Sequence, residues 1–250
     1  MVASTDDYFV HNSEVSGCTT SDHTLSRLEN PRLGPEALKG LLEGLSRDHV
    51  TERKELVEDH VSLFPHWMTM MCEGFSIFLC GVGSKKQLLS RFQKQLLSDV
   101  DHLVVNGFFP SLTIKAILST ILEEIMEKET HPHGLTDQLQ LISSHYEARG
   151  CDAPLFLVVH NLDGPMLRNA KAQAVLSQLA SFQNVHMIAS LDHINAPLIF
   201  DGNKCSSYNP LWWDVTTLSP YTEETSYENS LLVQQSGLLC FLLLFMFLNL

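Results

Sequence analysis

The sequence predicts an α/β fold, a parallel sheet flanked by helices, and three features carry that expectation. Short apolar runs at 75–80, 102–106, 154–159 and 185–191 have the character of strands buried inside a sheet. Between them lie segments of roughly ten to fifteen residues with apolar side chains at helical spacing, as expected of parallel strands joined by crossover helices. Third, residues 75–92 read as apolar strand, glycine turn and amphipathic helix, the layout in which a phosphate is held at a helix N-terminus.

The chain has 250 residues, 44% of them hydrophobic, enough for one sizeable core plus appendages. A formal net charge of −13 argues against autonomous nucleic-acid binding, which begins with a basic surface; any DNA contact would be local or shared with basic partners. The six cysteines form no C-x-x-C pair, so neither a zinc site nor a disulfide framework is indicated, and a reducing compartment fits them. The N-terminus has no basic segment followed by an apolar core, so secretion is not expected.

In chain order, residues 1–33 are polar and aperiodic, a flexible arm. Residues 34–74 form a helical lead-in. Its first helix begins at Pro35, and its second runs from about Asp48 with Val50, Val57, Val61 and Phe64 as its stripe. Pro65 is expected to kink or end that second helix, and 66–71 continues to Gly74. The α/β domain spans 75–225. After the strand at 75–80 comes a helix over 87–97 with Leu88, Leu89, Phe92 and Leu96 inward, then the strand at 102–106 and a long helix over 113–128. Glu124 and Lys128 make an i,i+4 pair on its wet side. A helix marked by Leu135, Leu139, Ile142 and Tyr146 precedes the most apolar strand of this middle part, 154–159. Val175, Leu176, Leu179 and Phe182 stripe the next helix; strands follow at 185–191 and 213–218. Residues 226–250 combine an incomplete lid region with an apolar tail. The run from Leu238 to Leu250 is shorter than the roughly 20 residues a spanning helix needs, so it reads as an atypical C-terminus, with a tail anchor as the alternative.

The glycine turn lacks the chemistry of a working phosphate loop. Counted from Gly81, the pattern G-x-x-x-x-G-K-[ST] places Lys86, Gln87 and Leu88 where Gly, Lys and Ser/Thr belong. No hydroxyl remains at the Mg²⁺-holding position, and the second glycine is missing. A nucleotide reading would turn Lys85 or Lys86 to the phosphates around Gly81 and Gly83. The structural reading leaves a plain tight turn with both lysines in solvent, and it is preferred. The second catalytic element is altered as well. The strand ending Val158-Val-His-Asn-Leu-Asp-Gly164 carries His160 and Asn161 where acidic residues would orient a metal and polarise water. Asp163 lies beyond, placed to cap the next turn.

These elements resemble the origin recognition complex subunit 2 family. The match is carried by Phe75-Ser-Ile-Phe-Leu-Cys-Gly-Val-Gly-Ser-Lys-Lys-Gln-Leu-Leu89, Val104-Val-Asn-Gly-Phe-Phe-Pro110, His160-Asn-Leu-Asp163, Ala189-Ser-Leu-Asp-His-Ile-Asn-Ala-Pro197 and Ser219-Pro-Tyr-Thr-Glu-Glu-Thr-Ser-Tyr-Glu-Asn229. The resemblance implies an AAA+-like P-loop-type domain without ATPase activity, needing no cofactor or metal. It also implies a nuclear protein that assembles with the other origin recognition subunits, subunit 3 most directly, on origin DNA. Its expected role lies in replication initiation and loading of the replicative helicase. Against the family pattern, most of a long N-terminal region is missing here, and the apolar tail stands where a DNA-contacting winged helix is expected.

Other readings are weaker. A residual ATP binder would use Gly81, Gly83 and Lys85 without hydrolysis. His131 and His133 lack the further ligands a zinc ion needs, and a hydrolase triad built on His160 and Asp163 lacks a nucleophile elbow. Trp212 and Trp213 are read as core or interface anchors rather than base-stacking platforms. Trp67, Met68, Met70 and Met71 are candidates for either core or a partner-binding face.

Overall fold

The computed structural model describes residues 49–127, 132, 134–149 and 154–225. Contacts divide the chain into two compact units, residues 1–52 and 53–250, and nearly all described residues belong to the second. The arm, the helix beginning at Pro35, Lys128, His131, His133 and the tail over 226–250 lie outside the described residues. Among those described, no helix is long and apolar enough to cross a membrane.

The lead-in consists of α1 (Val50–Ser62) and α2 (Phe64–Cys72). The helix expected to kink or end at Pro65 does end there: α1 stops at Ser62, and Pro65 sits in the first turn of α2, where its missing N–H costs nothing. Phe64, Trp67 and Met71 of α2 are buried in the main core, and Met68 and Met70 pack against it, so this stripe is interior rather than a free docking face.

Strands β1 (Ser76–Cys80), β2 (His102–Asn106), β3 (Leu155–His160), β4 (Val185–Ser190) and β5 (Pro210–Asp214) form one sheet in the order β2-β3-β4-β1-β5, every pair parallel. All residues of β3 and β4 are buried, as non-alternating central strands must be. Edge strand β2 alternates instead. The last strand lies three residues earlier than its apolar pattern suggested. Pro210 is tolerated as the first residue of an edge strand, and the register pairs Ser76 with Pro210 and Cys80 with Asp214. Beyond Asp214 the chain no longer pairs as strand but lies over the glycine turn, Val215 N–H donating to Cys80 O and Thr217 N–H to Val82 O.

Ile77 and Leu79 join Trp67, Phe92, Phe156, Val158 and Ile188 in the core under α2 and α3 (Lys86–Leu96). Phe78 meets Phe200, Tyr208 and Trp212, with ring centroids 5.3–5.4 Å away. Helix α4 (Ile114–Thr120) starts at Thr113, whose hydroxyl caps Ala116 N–H, and passes into a π-turn over Ile121–Ile125. The long regular helix expected over 113–128 is thus shorter and widens into an underwound π-turn at its end, with Glu127 beyond it at a φ of 51°. Helices α5 (Leu135–Arg149) and α6 (Ala170–Ala180) follow the expected pattern, except that α6 ends before Phe182, which was expected on its stripe. A 3₁₀ turn (Ala196–Ile199) and α7 (Gly202–Tyr208), capped by Asp201, were not anticipated.

Candidate functional site

The sheet order places β4 beside β1 although more than a hundred residues separate them, so the loops leaving their C-terminal ends share one crevice. In open parallel sheets ligands bind at such a point, where connections diverge. Four segments converge here: the β1–α3 turn, the end of β3, the end of β4 and the chain after β5.

Gly81 and Gly83 take φ values of 116° and 103°, which side-chain-bearing residues rarely adopt. A Cβ on Gly83 would lie 2.5 Å from Leu218 N and from Thr217 Oγ1, so the segment after β5 rests directly on the turn. Lys85 follows as the N-cap residue of α3, without a side-chain cap bond.

The structure corrects the expectation that Lys85 lies in solvent. It is 1% exposed, and its ammonium donates to Gly81 O (2.8 Å), Gly83 O (3.1 Å) and Asp192 Oδ1 (2.6 Å). A buried ammonium needs its charge balanced and its protons accepted, and this environment supplies both. The turn therefore points carbonyls inward at a cation, whereas a phosphate loop points N–H groups inward at an anion. Lys86 is also not free in solvent; it pairs with Glu223.

Asp192 is the hub that inspection of the motifs missed. Besides Lys85 it accepts from Asn161 Nδ2 (2.5 Å) and from the Tyr221 hydroxyl (3.3 Å). Asn161 reaches it with a φ of 50°, a left-handed conformation to which asparagine is comparatively well suited. Burial and Asp192 together push the Tyr221 hydroxyl up to about 12. Asp163 does not cap its own turn; its Oδ2 accepts from the backbone N–H groups of Asp192 (3.0 Å) and His193 (2.6 Å), fixing the β4 loop. Burial raises the Asp163 carboxyl above its ordinary range.

His160 is 3% exposed at the end of β3, and its Nδ1 has no hydrogen-bond partner. Burial, helped by the Lys86 charge, lowers it to about 3, so the ring is neutral at pH 7. Because the unfolded ring protonates near 6.5 and the folded one near 3, stability is complete above pH 6.5 and declines as pH falls toward 3. Between pH 7 and 5 the loss is expected to be about 2 kcal/mol. Urea midpoints at both pH values, compared with His160→Gln, should show that loss in the wild type and not in the variant.

Among the described residues, no group of three His, Cys, Asp or Glu side chains is arranged to hold a metal ion. The predicted residues Gly81, Gly83, Lys85, Lys86, His160, Asn161 and Asp163 do converge on one crevice. Those the sequence did not single out are Asp192, Ser84, Tyr221, Glu223 and Glu224. The available signal was Asp192 immediately past an apolar strand, which gains meaning only once the strand order is known.

A family model described as the origin recognition complex subunit 2 RecA-like domain matches residues 52–215. Origin recognition complex subunit 2 of Drosophila melanogaster is 48% identical over 238 residues, covering 94% of this chain and 38% of the relative. The human subunit 2 is 44% identical over 232 residues, with 93% and 40% covered. The chain thus spans about two fifths of the length of the curated relatives it matches. A chain in a structure of Drosophila ORC bound to AT-rich DNA and Cdc6 superposes with a TM-score of 0.70 at 46% identity, covering 79% of this chain and 67% of that one. A second, from Drosophila ORC bound to DNA, gives 0.66 at 48% identity, with 69% and 98% covered. The fold is the AAA+-like parallel sheet that the sequence led us to expect, and the chain belongs to the origin recognition complex subunit 2 family.

Proposed function

We propose that this chain acts as a non-catalytic subunit of the origin recognition complex. In this reading it joins the other subunits in the nucleus, subunit 3 most directly, to bind replication origins and help load the replicative helicase. The supporting observation is the state of the crevice. The lysine nearest the turn is neutralised by Asp192, and the strand end that would hold magnesium carries a neutral His160 and an amide, Asn161. Hard divalent cations prefer anionic oxygens, which neither side chain provides. The preserved sheet then serves assembly rather than turnover, and the chain's acidity leaves DNA contact to be shared with basic neighbours.

Co-expression of the full chain with the other subunits is the direct test. Retention in a stoichiometric complex is expected. Magnesium-dependent ATP hydrolysis by the purified chain, abolished in Lys85→Ala/Lys86→Ala, would overturn the non-catalytic role, and failure to associate would overturn the assembly role.

A further inference from the structure

We infer that the altered phosphate loop is an intramolecular carboxylate-binding site, and that its resident ligand is the chain's own segment 221–224. Donors that a bound phosphate would use around this turn are already engaged. Gly83 N–H donates to the Tyr221 hydroxyl at 3.1 Å, and Ser84 N–H donates to Ser219 O at 2.9 Å. The Ser84 hydroxyl donates to Glu224, and the Lys86 ammonium to Glu223. Thr217 closes the approach by donating its hydroxyl to Ser84 O at 2.8 Å. Backbone N–H, hydroxyl and ammonium are the donor set of a phosphate cradle, and here each finds an oxygen on the segment that follows β5.

The burial of Glu224 makes this more than a chance surface contact. It is 6% exposed, and its second carboxylate oxygen has no hydrogen-bond partner. Drawing a carboxylate so far from water is costly unless donors already in place compensate it. The donor here is the Ser84 hydroxyl at the start of α3, where the helix end also favours negative charge. Carboxylate and phosphate present the same kind of acceptor oxygens to such donors. Because this ligand is tethered, its effective concentration is of order millimolar, and a free anion must displace several contacts at once. The loop is therefore ordered with no nucleotide, the acidic segment performing in cis what a triphosphate does in a working relative of this fold.

Hydrogen exchange on the full chain, read at the amides of 81–89 and 217–225, tests this independently of assembly with any partner. In Glu223→Gln/Glu224→Gln these amides are expected to exchange at least about tenfold faster, with the rest of the sheet unchanged. Millimolar pyrophosphate should then slow exchange at 81–89 in the variant and leave the wild type unaffected. Protection within about twofold of wild type in the variant would overturn the inference. So would a variant that loosens but is not re-protected by pyrophosphate, because the segment would then be a brace and not an anion surrogate. A wild type that responds to pyrophosphate would overturn it as well. Should the double variant fail to fold, Ser84→Ala, which removes the donor to Glu224 together with the acceptor for Lys86 N–H, is read by exchange at 81–89 and 217–225 without pyrophosphate: about tenfold faster exchange supports the inference, and protection within about twofold of wild type overturns it.

Discussion

Asp192→Ala should destabilise the protein by roughly 3–5 kcal/mol, the usual cost of removing one partner of a buried ion pair. The Lys85 ammonium would remain in a site with no exposed side-chain surface, keeping two carbonyl acceptors but losing its counter-charge. Asn161 and Tyr221 would lose an acceptor in the same step. For a domain of this size each kcal/mol lowers the melting temperature by roughly 2–4 °C, so a drop of about 10 °C is expected by calorimetry. The control is Lys85→Met/Asp192→Leu, which removes both charges and should cost less than the sum of the single changes by more than about 1 kcal/mol. A single Asp192→Ala variant as stable as wild type would show that the charge is balanced from elsewhere.

Trp67→Ala should cost a comparable 3–5 kcal/mol, because it empties the contact between the lead-in and the sheet. The indole is fully buried and lies 5.5–6.3 Å, centroid to centroid, from Phe64, Phe92 and Trp213. Its Nε1–H has no hydrogen-bond partner, so Trp67→Phe, which removes that donor, should cost far less than the alanine change. Urea unfolding of both variants separates core from docking face. An anchor for another subunit would leave the isolated chain's stability intact and weaken only association.

The central strands were legible because burial on both faces writes itself as a largely apolar run, as in residues 155–159 of β3 and, broken only by His186, residues 185–189 of β4. The edges were harder. At β5 no position is fully buried, and the strand opens at Pro210, three residues before the stretch 213–218 that marked it in the sequence. Helix α7 left almost no apolar trace, since only Tyr208 is buried; its one sequence signal was Asp201 as a cap. In the crevice, the missing phosphate-loop residues could be counted directly from Gly81. The burial of Lys85 could not, because a lysine in sequence reads as surface, and its partner lies 107 positions away. Asn161 and Asp163 likewise acquire their roles through Asp192, and Tyr221 through Asp192 and Gly83.

The position of β1 between β4 and β5 has a consequence during synthesis. Both of its hydrogen-bonding neighbours are made more than a hundred residues later, the nearer beginning at Val185. At roughly 5–20 residues per second the ribosome leaves Ile77, Phe78 and Leu79 without a strand partner for several seconds or more. A chaperone has that interval in which to shield the emerging segment, and a ribosome stalled ahead of Val185 would expose one of the stickiest stretches of the domain.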